Sequence, residues 1–422
     1  MDRSKPSSNI PYAAYFRREI PAPNLELTQV GPGTTGGEYM RRFWQPVGFS
    51  SELKDLPLRI RIMGEDLVLF RDRGGRVGLL QLHCSHRGVS LEYGLVSERG
   101  IRCCYHGWLY DVDGTILETP GEPTSSPIRN ELCHGAYPVH EHNGVVFAYM
   151  GPPDRKPPIP YYDTLLRPGY FPAKFIIPCN WMQILDNGMD PVHAVFLHTR
   201  SSQVQFSEAY GLLGVFEWQE SPLGMMYIAT RRIGPNVWVR INDLILPNII
   251  QVPPNSEDGT QEKINSRPGA TIWSVPIDDT NTMNLNLRQP EGEGEMTWEK
   301  AAKSAFGELP DRPYEERQRI PADVDVFTGQ REIAIHALEH LGTTDLGVVK
   351  FRRLVRQGLD AVKAGEDPKG VLREGTNPVP TYCQNTVLRL PRAGSDEADE
   401  ALLRETGRRV ARGDYQQIQA RR

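Results

Sequence analysis

The chain has 422 residues, 39% hydrophobic and 24% charged, long enough for two domains or for one large and one modest domain with substantial cores. A net charge of −5 and a pI near 6.1 exclude a general nucleic-acid binder, because no basic field is present to collect phosphates. No run approaches about eighteen apolar residues, and the opening MDRSKPSSNIPYAAYFRREIP lacks the apolar stretch of a signal peptide, so no membrane partner is expected and the expected compartment is cytoplasmic. Cys84, Cys103, Cys104, Cys133, Cys179 and Cys383 are too sparse for a disulfide framework and suit thiols kept reduced.

Residues 1–40, rich in Pro, Gly and polar side chains, read as an arm. From 41 to 155 short apolar stretches are broken by turn signals, as in LRIRIMGEDLVLFRDRGGRVGLLQLHC, which predicts a small antiparallel β unit. The unit closes at GPPDRKPPIP, residues 151–160, too proline-rich for a helix or a central strand. From 156 to 395 the segments GVFEWQ, GMMYIATRRI, NVWVRINDLILPNIIQV, ATIWSVPI and TMNLNLRQP predict a curved antiparallel sheet. TWEKAAKSAFGEL, DVFTGQREIAIHALEHL and LGVVKFRRLVRQGLDAVKAGE follow with helical periodicity. Residues 396–422 read as an exposed amphipathic helix and tail, and no internal repeat is evident.

Within the β unit stands Cys84-Ser85-His86 and, after residues 87–102, Cys103-Cys104-Tyr105-His106, giving C-x-H and C-x-x-H. Two thiolates can hold one iron of a [2Fe–2S] cluster while two imidazoles hold the other. A Cys2His2 zinc ribbon uses the same ligand set, but zinc knuckles favour C-x-x-C pairs, and Gly88, Gly107 and Trp108 suit two loops closing over a cluster. Taking Cys103 as the ligand preserves the two-residue gap to His106 and leaves Cys104 as a packed, non-ligating thiol.

The stretch Asn180 to His198, NWMQILDNGMDPVHAVFLH, reads as the floor of a second metal site, with Asp190, His193 and His198 at spacings of three and five. A step of five on a regular helix swings His198 away from His193, so a bulge, or a bend near Pro191, is needed to aim both imidazoles at one point. Two neutral imidazoles suit Fe(II), and a carboxylate from elsewhere would complete a facial triad with open positions for oxygen. The remaining histidines have plainer readings. His83, His134, His140 and His142 belong to the loops and strands of the first unit, and His336 and His340 are expected to share a helix face.

CSHRG…CCYHGW, NGMDPVHAVFLH and TTDLGVVKFRR, in that order, resemble the oxygenase (α) component of the Rieske non-haem iron oxygenases, within the phthalate dioxygenase-like group, over about residues 37–358. The resemblance implies an α+β chain: a small antiparallel β Rieske [2Fe–2S] domain, then a helix-grip catalytic domain of curved antiparallel sheet with helices. It implies cluster ligands Cys84, His86, Cys103 and His106, and mononuclear Fe(II) on His193, His198 and Asp345. Spacing alone never selects Asp345, and the plain reading of an Asp at a helix start is a cap. The resemblance also implies that Asp190 bridges His193 and the His106 of an adjacent subunit in a homotrimer, and that Asn187 is an amide near the iron, with Asp186 a lesser candidate. Electrons from NADH would arrive through a flavin and iron–sulfur reductase, or a ferredoxin plus reductase, with O2 as co-substrate.

For the substrate, VWVRIND places Trp238, Arg240 and Asn242 on one strand face, offering an aromatic wall beside a cation that can grip a carboxylate, unless those arginines face solvent. The expected substrate is an aromatic acid or aryl ether, with O-demethylation or other monooxygenation of a methoxylated aromatic acid preferred over phthalate-type cis-dihydroxylation. The rivals are an electron-transfer-only Rieske protein, which needs no second domain, and a zinc-held structural protein, which lacks iron.

Overall fold

The computed structural model describes residues 11–16, 19–166, 169–265, 267–289, 312–374 and 378–414. The first part is built from three small antiparallel sheets. Strands β1 (Trp44–Phe49), β10 (Val139–His142) and β11 (Val145–Tyr149) form one, ordered β1-β11-β10. A second runs β2 (Leu58–Ile62), β3 (Glu65–Arg71), β4 (Val77–Gln81) and β9 (Ala136–Tyr137), and a third β5 (Leu95–Val96), β6 (Ile101–Arg102), β7 (Leu109–Tyr110) and β8 (Ile116–Glu118). Val68, Phe70, Leu80, Ile101, Trp108 and Tyr110 bury between the last two sheets and enclose Cys84 and Cys103. Alternation in these strands sends their apolar residues to this core.

The second part is a nine-stranded antiparallel sheet. Its order is β12 (Phe171–Ile177), β19 (Thr282–Arg288), β18 (Ala270–Pro276), β16 (Ile249–Val252), β15 (Asn236–Ile245), β14 (Gly224–Ile233) and β13 (Val215–Ser221); β20 (Gln384–Arg389) pairs with β15 and with β17 (Lys263–Asn265). One long edge of β15 is shared, with β20 opposite residues 236–241 and β16 opposite 243–245. The two parts pack against each other: Phe147 lies edge-on to Trp273 with ring centroids 6.1 Å apart, and Met63 N donates to Pro276 O at 2.8 Å.

Five helices matter below: α1 (Trp181–Gly188), α2 (Pro191–Val195), α3 (Asp323–Gly329), α4 (Leu346–Lys363) and α5 (Asp396–Ala411). The terminal helix is less exposed than its sequence suggests, because Leu403, Gly407 and Val410 lie against β14 and β15 with Ile228, Val239 and Ile241. Helical periodicity over 325–341 is not realised beyond Gly329. Asn180 and Gln183 of α1 capture that backbone instead: Asn180 N donates to Glu332 O at 2.8 Å, Gln183 Nε2 to Phe327 O and Arg331 O at 2.8 and 3.0 Å, and Gln183 Oε1 accepts from Ala334 N at 2.9 Å. Only a 3-10 turn at His336–Leu338 remains, so His336 and His340 do not share a helix face. The helix expected over 297–309 and the tail 415–422 lie outside the described residues. No helix among the described residues is long and apolar enough to cross a membrane.

Helix α1 is fixed to α4 by a buried ion pair, Arg352 Nη2 to Asp186 Oδ2 at 2.6 Å, with Glu339 on the same guanidinium at 2.5 Å. Burial raises the Asp186 carboxyl to about 6 against the pull of Arg352. Asp186 is thus a clamp between helices, with no contact to the histidines of the second site. Replacing Arg352 with Met leaves that carboxylate buried without its cation, and about 3–5 kcal/mol of stability should be lost. A carboxyl raised above its unfolded value costs stability as pH rises through the folded pKa, and removing the cation raises it further. The loss should therefore be larger at pH 8 than at pH 5 in denaturant titrations; an equal loss at both would show that Asp186 does not carry it.

Candidate active site

Two loops of the same build carry the cysteine–histidine motifs. In the first, Cys84 N donates to Val89 O at 2.9 Å and Gly88 N to Cys84 O at 2.8 Å; in the second, Cys103 N donates to Trp108 O at 2.8 Å and Gly107 N to Cys103 O at 3.1 Å. Each turn closes on a glycine in the left-handed region, Gly88 at φ 75° and Gly107 at φ 73°, where a side chain would be strained. The loops bring the His86 and His106 rings to 4.5 Å between centroids, and His86 stacks on Trp108 at 4.7 Å. Cys84 and Cys103 are both buried, Cys84 Sγ lies 2.9 Å from Tyr110 Oη, and burial pushes the Cys103 thiol up. His86 Nδ1 is buried with no protein hydrogen-bond partner. Two buried thiols and two adjacent imidazoles, one with an unmatched buried nitrogen, are the donors a sulfur-and-nitrogen-ligated cluster requires. Cys104 is exposed rather than packed. His134 is a buried strut, with Nδ1 2.6 Å from Ser85 Oγ and Nε2 2.8 Å from Gln81 O.

The second site starts where α1 ends. Asp190 caps α2, its Oδ1 accepting from Val192 N at 2.7 Å, with Pro191 as the first helical residue. Helix α2 then widens into a π turn over Phe196–Arg200. A π turn bonds i to i+5, and five is the separation of His193 and His198, so the expected bulge is what aligns them. Their rings lie 5.4 Å apart, centroid to centroid.

The carboxylate facing them is Asp323, the first residue of α3. Its Oδ1 is 3.2 Å from His198 Nε2, 3.8 Å from His193 Nε2, and accepts from Asn187 Nδ2 at 3.2 Å. Each of the three offers one ligand atom, and these atoms all lie within 4.8 Å of one another, a second group able to hold a metal ion. Asp345 is elsewhere: its Oδ2 accepts from Gly342 N at 2.7 Å and closes the turn before α4, the capping role its position suggested. Asp323 lies in PADVDVF, where nothing local separates it from Asp325, which pairs with Arg312 and Arg317. Only tertiary packing selects it.

Gln205, which no sequence pattern marks, fixes the chemistry of His198. Its Nε2 donates to Leu197 O and Pro321 O, so its Oε1 accepts from His198 Nδ1 at 3.0 Å. A neutral His198 therefore turns the Nε2 lone pair toward Asp323 Oδ1, two acceptors face to face. A cation between them resolves that conflict, and the donor set of two nitrogens and one carboxylate suits Fe(II). Without a metal, a proton on His198 answers the same conflict, and against the cost of burial positively charged histidines then hold the Asp323 carboxyl well below the usual carboxylate range. Asn187 Nδ2 is also 3.4 Å from His193 Nε2, at the edge of this group. Asp190 Oδ2 stays 3.8 Å from His193 Nδ1, which is buried without a hydrogen bond.

A cavity of about 390 Å³ opens on this cluster, its wall formed by the sheet. Arg240 and Asn242 line it, but Trp238 is fully buried behind Tyr210 and donates to Asn385 Oδ1 at 3.2 Å. The guanidinium of Arg240 is spent locally: Nη1 donates to Pro254 O, and Nη2 to Pro253 O and Asn255 Oδ1, at 3.0, 3.1 and 2.7 Å. It braces the loop at the cavity rim and has no free fork for a bidentate carboxylate. Asn284, from β19, also lines the wall and drew no attention in the sequence.

The Rieske [2Fe-2S] domain profile matches residues 43–134. Over 94% of its length the chain is 40% identical to the tert-butanol monooxygenase / tert-amyl alcohol desaturase oxygenase subunit of Aquincola tertiaricarbonis, of which it covers 90%. It is 38% identical to the phenoxybenzoate dioxygenase subunit alpha of Ectopseudomonas oleovorans, over 88% of this chain and 93% of that one. The fold is that of dicamba monooxygenase bound to dicamba, with a TM-score of 0.59 at 20% identity, over 77% of this chain and 98% of that one. With the paired ligand loops and the two-histidine, one-carboxylate cluster, these likenesses show that the chain belongs to the Rieske non-haem iron oxygenases, as an oxygenase (α) subunit of the phthalate dioxygenase-like group.

Proposed function

We propose that His193, His198 and Asp323 hold the mononuclear iron of this terminal oxygenase, and that the subunit monooxygenates an aryl ether or a related compound at a carbon next to oxygen. The observation that carries this reading is the opening of that cluster onto a cavity with an apolar floor of Ile250, Ile272 and Val252. When bound, the [2Fe–2S] cluster supplies electrons singly and the iron supplies activation of O2 for insertion into a C–H bond. The chain's own work is positioning. Gln205 fixes the tautomer of His198, Asn187 holds the Asp323 carboxylate, and Phe206, stacked on His198 at 4.2 Å, covers the ring from solvent. Hydroxylation of a methoxy carbon releases formaldehyde and a phenol, the O-demethylation outcome preferred here over ring dihydroxylation.

Electrons reach the chain from a reductase, or from a ferredoxin and reductase, of a multicomponent system. The trimer belongs to this proposal as well, as does a cytoplasmic location. Two features support transfer between subunits. Tyr105, beside His106, is 55% exposed, and the unmatched His193 Nδ1 lies near Asp190, half-buried at the end of α1. A neighbouring His106 docked on Asp190 would give that carboxylate a second imidazole to orient.

Iron analysis separates the two carboxylates. Asp323→Ala should lose the mononuclear iron while retaining the visible spectrum of the cluster, and Asp345→Ala should keep both. Iron retained in the first variant and lost in the second would restore Asp345. For the reaction, the holoprotein with reductase, NADH and 18O2 should convert a methoxylated aromatic to its phenol and formaldehyde, with the one labelled oxygen in formaldehyde trapped as it forms and none in the phenol; a cis-diol carrying two would overturn monooxygenation.

A further inference from the structure

Two buried carboxamides on the cavity wall each have an oxygen without a protein partner. Asn242 and Asn284 are 6% and 4% exposed, and the Oδ1 of each is buried with no protein hydrogen-bond partner. Asn180 and Asn385 are as deeply buried, and the Oδ1 of each accepts, from Met182 N and from Trp238 Nε1; Asn248, away from the cavity, also has an unmatched Oδ1, but its Nδ2 donates to Gln45 Oε1 and Ser274 O. Leaving a buried carboxamide oxygen unmatched is costly, so folds do not keep two of them facing one cavity without a return. Both side chains line the space into which the histidine cluster opens. They stand on opposite flanks of it: Asn242 on β15 and Asn284 on β19, with the paired Ile250 and Ile272 of β16 and β18 between. Three strand spacings separate the flanks, roughly 14 Å along the sheet.

We infer that Asn242 and Asn284 determine specificity by receiving neutral hydroxyl groups of a substrate whose apolar body lies along Ile250 and Ile272. A hydroxyl both donates and accepts, so one such group meets the oxygen and the N–H of a carboxamide together. A carboxylate only accepts and leaves both Oδ1 atoms unmatched. The cations on the two flanks do not change that preference: both Nη atoms of Arg240 are committed to residues 253–255, and Arg288, which lines the cavity from β19, is not free either. The inference rests on the monooxygenase reading above and narrows its substrate class from aryl ethers at large to those that also carry a free hydroxyl group.

The test uses iron-loaded holoprotein and three two-ring methoxy probes that differ at one position: 4'-methoxybiphenyl-3-ol, 4-methoxybiphenyl and 4'-methoxybiphenyl-3-carboxylate, the last being the benzoate. By calorimetry the phenol should bind about tenfold more tightly than either of the others. In the double variant Asn242→Leu, Asn284→Leu that ratio should fall to about one. Without ligand, each single variant should unfold at the same temperature as the parent or higher, since an apolar side chain of similar size removes an unmatched amide. Tighter binding of the benzoate, equal behaviour of all three probes, or a marked fall in unfolding temperature in the single variants would overturn the inference. Oxygen uptake is followed separately. The affinity order without any oxygen incorporation would sink the monooxygenase reading alone, and oxygen incorporation without the order would sink this one alone.

Discussion

The π turn at Phe196–Arg200 is the constraint on which the catalytic half depends. Regular helix would carry His198 away from His193; the extra residue per turn returns it to the same side. Such a turn has poorer hydrogen bonding than an α-helix, and the chain surrounds it with compensation. Ser201 N donates to Phe196 O at 2.8 Å, and Ala194, Tyr210 and Trp238 pack beneath it in one buried cluster. Gln205 then does two things at once. It sets the tautomer of His198, and through Pro321 O it holds the strand of chain that delivers Asp323 two residues later. The third metal donor is thereby tied to the second.

The same economy appears in the cluster half. Two loops with matching hydrogen bonds and a left-handed glycine at each closure set four donors against one another, over a core of Phe70, Leu80 and Ile101. Neither loop is long, and the small sheets around them make the geometry stiff. Tyr110 and His134 add contacts to the Cys84 side that the ligand motif alone does not contain. In the catalytic half the sheet supplies the complementary wall, apolar along the middle strands and amide-bearing at its flanks.

What was legible in the sequence follows the range of the interactions. The four cluster ligands stand within two short segments, so spacing displayed them, and the requirement for a bulge at His193 and His198 could be stated from helical geometry alone. Asp323 could not be found that way. Its selection depends on Gln183 and Asn180 holding 330–334 in a non-helical path after α3, and on Gln205 holding Pro321, contacts spanning more than a hundred residues of chain. Asp345 carried the motif resemblance, yet its carboxylate closes its own turn. Alternation placed Arg240 and Asn242 on the inner face correctly; it could not show that Pro253 and Pro254 occupy the guanidinium, nor that Trp238 lies behind Tyr210.

The central claim is that one carboxylate, brought from α3, completes the site opened by the π turn. Anomalous diffraction at the iron edge from crystals of the iron-loaded protein tests it most directly. The account predicts a mononuclear iron peak within bonding distance of His193 Nε2, His198 Nε2 and an Asp323 oxygen. A peak bonded to Asp345, or to the histidines with Asp323 turned away, would contradict it.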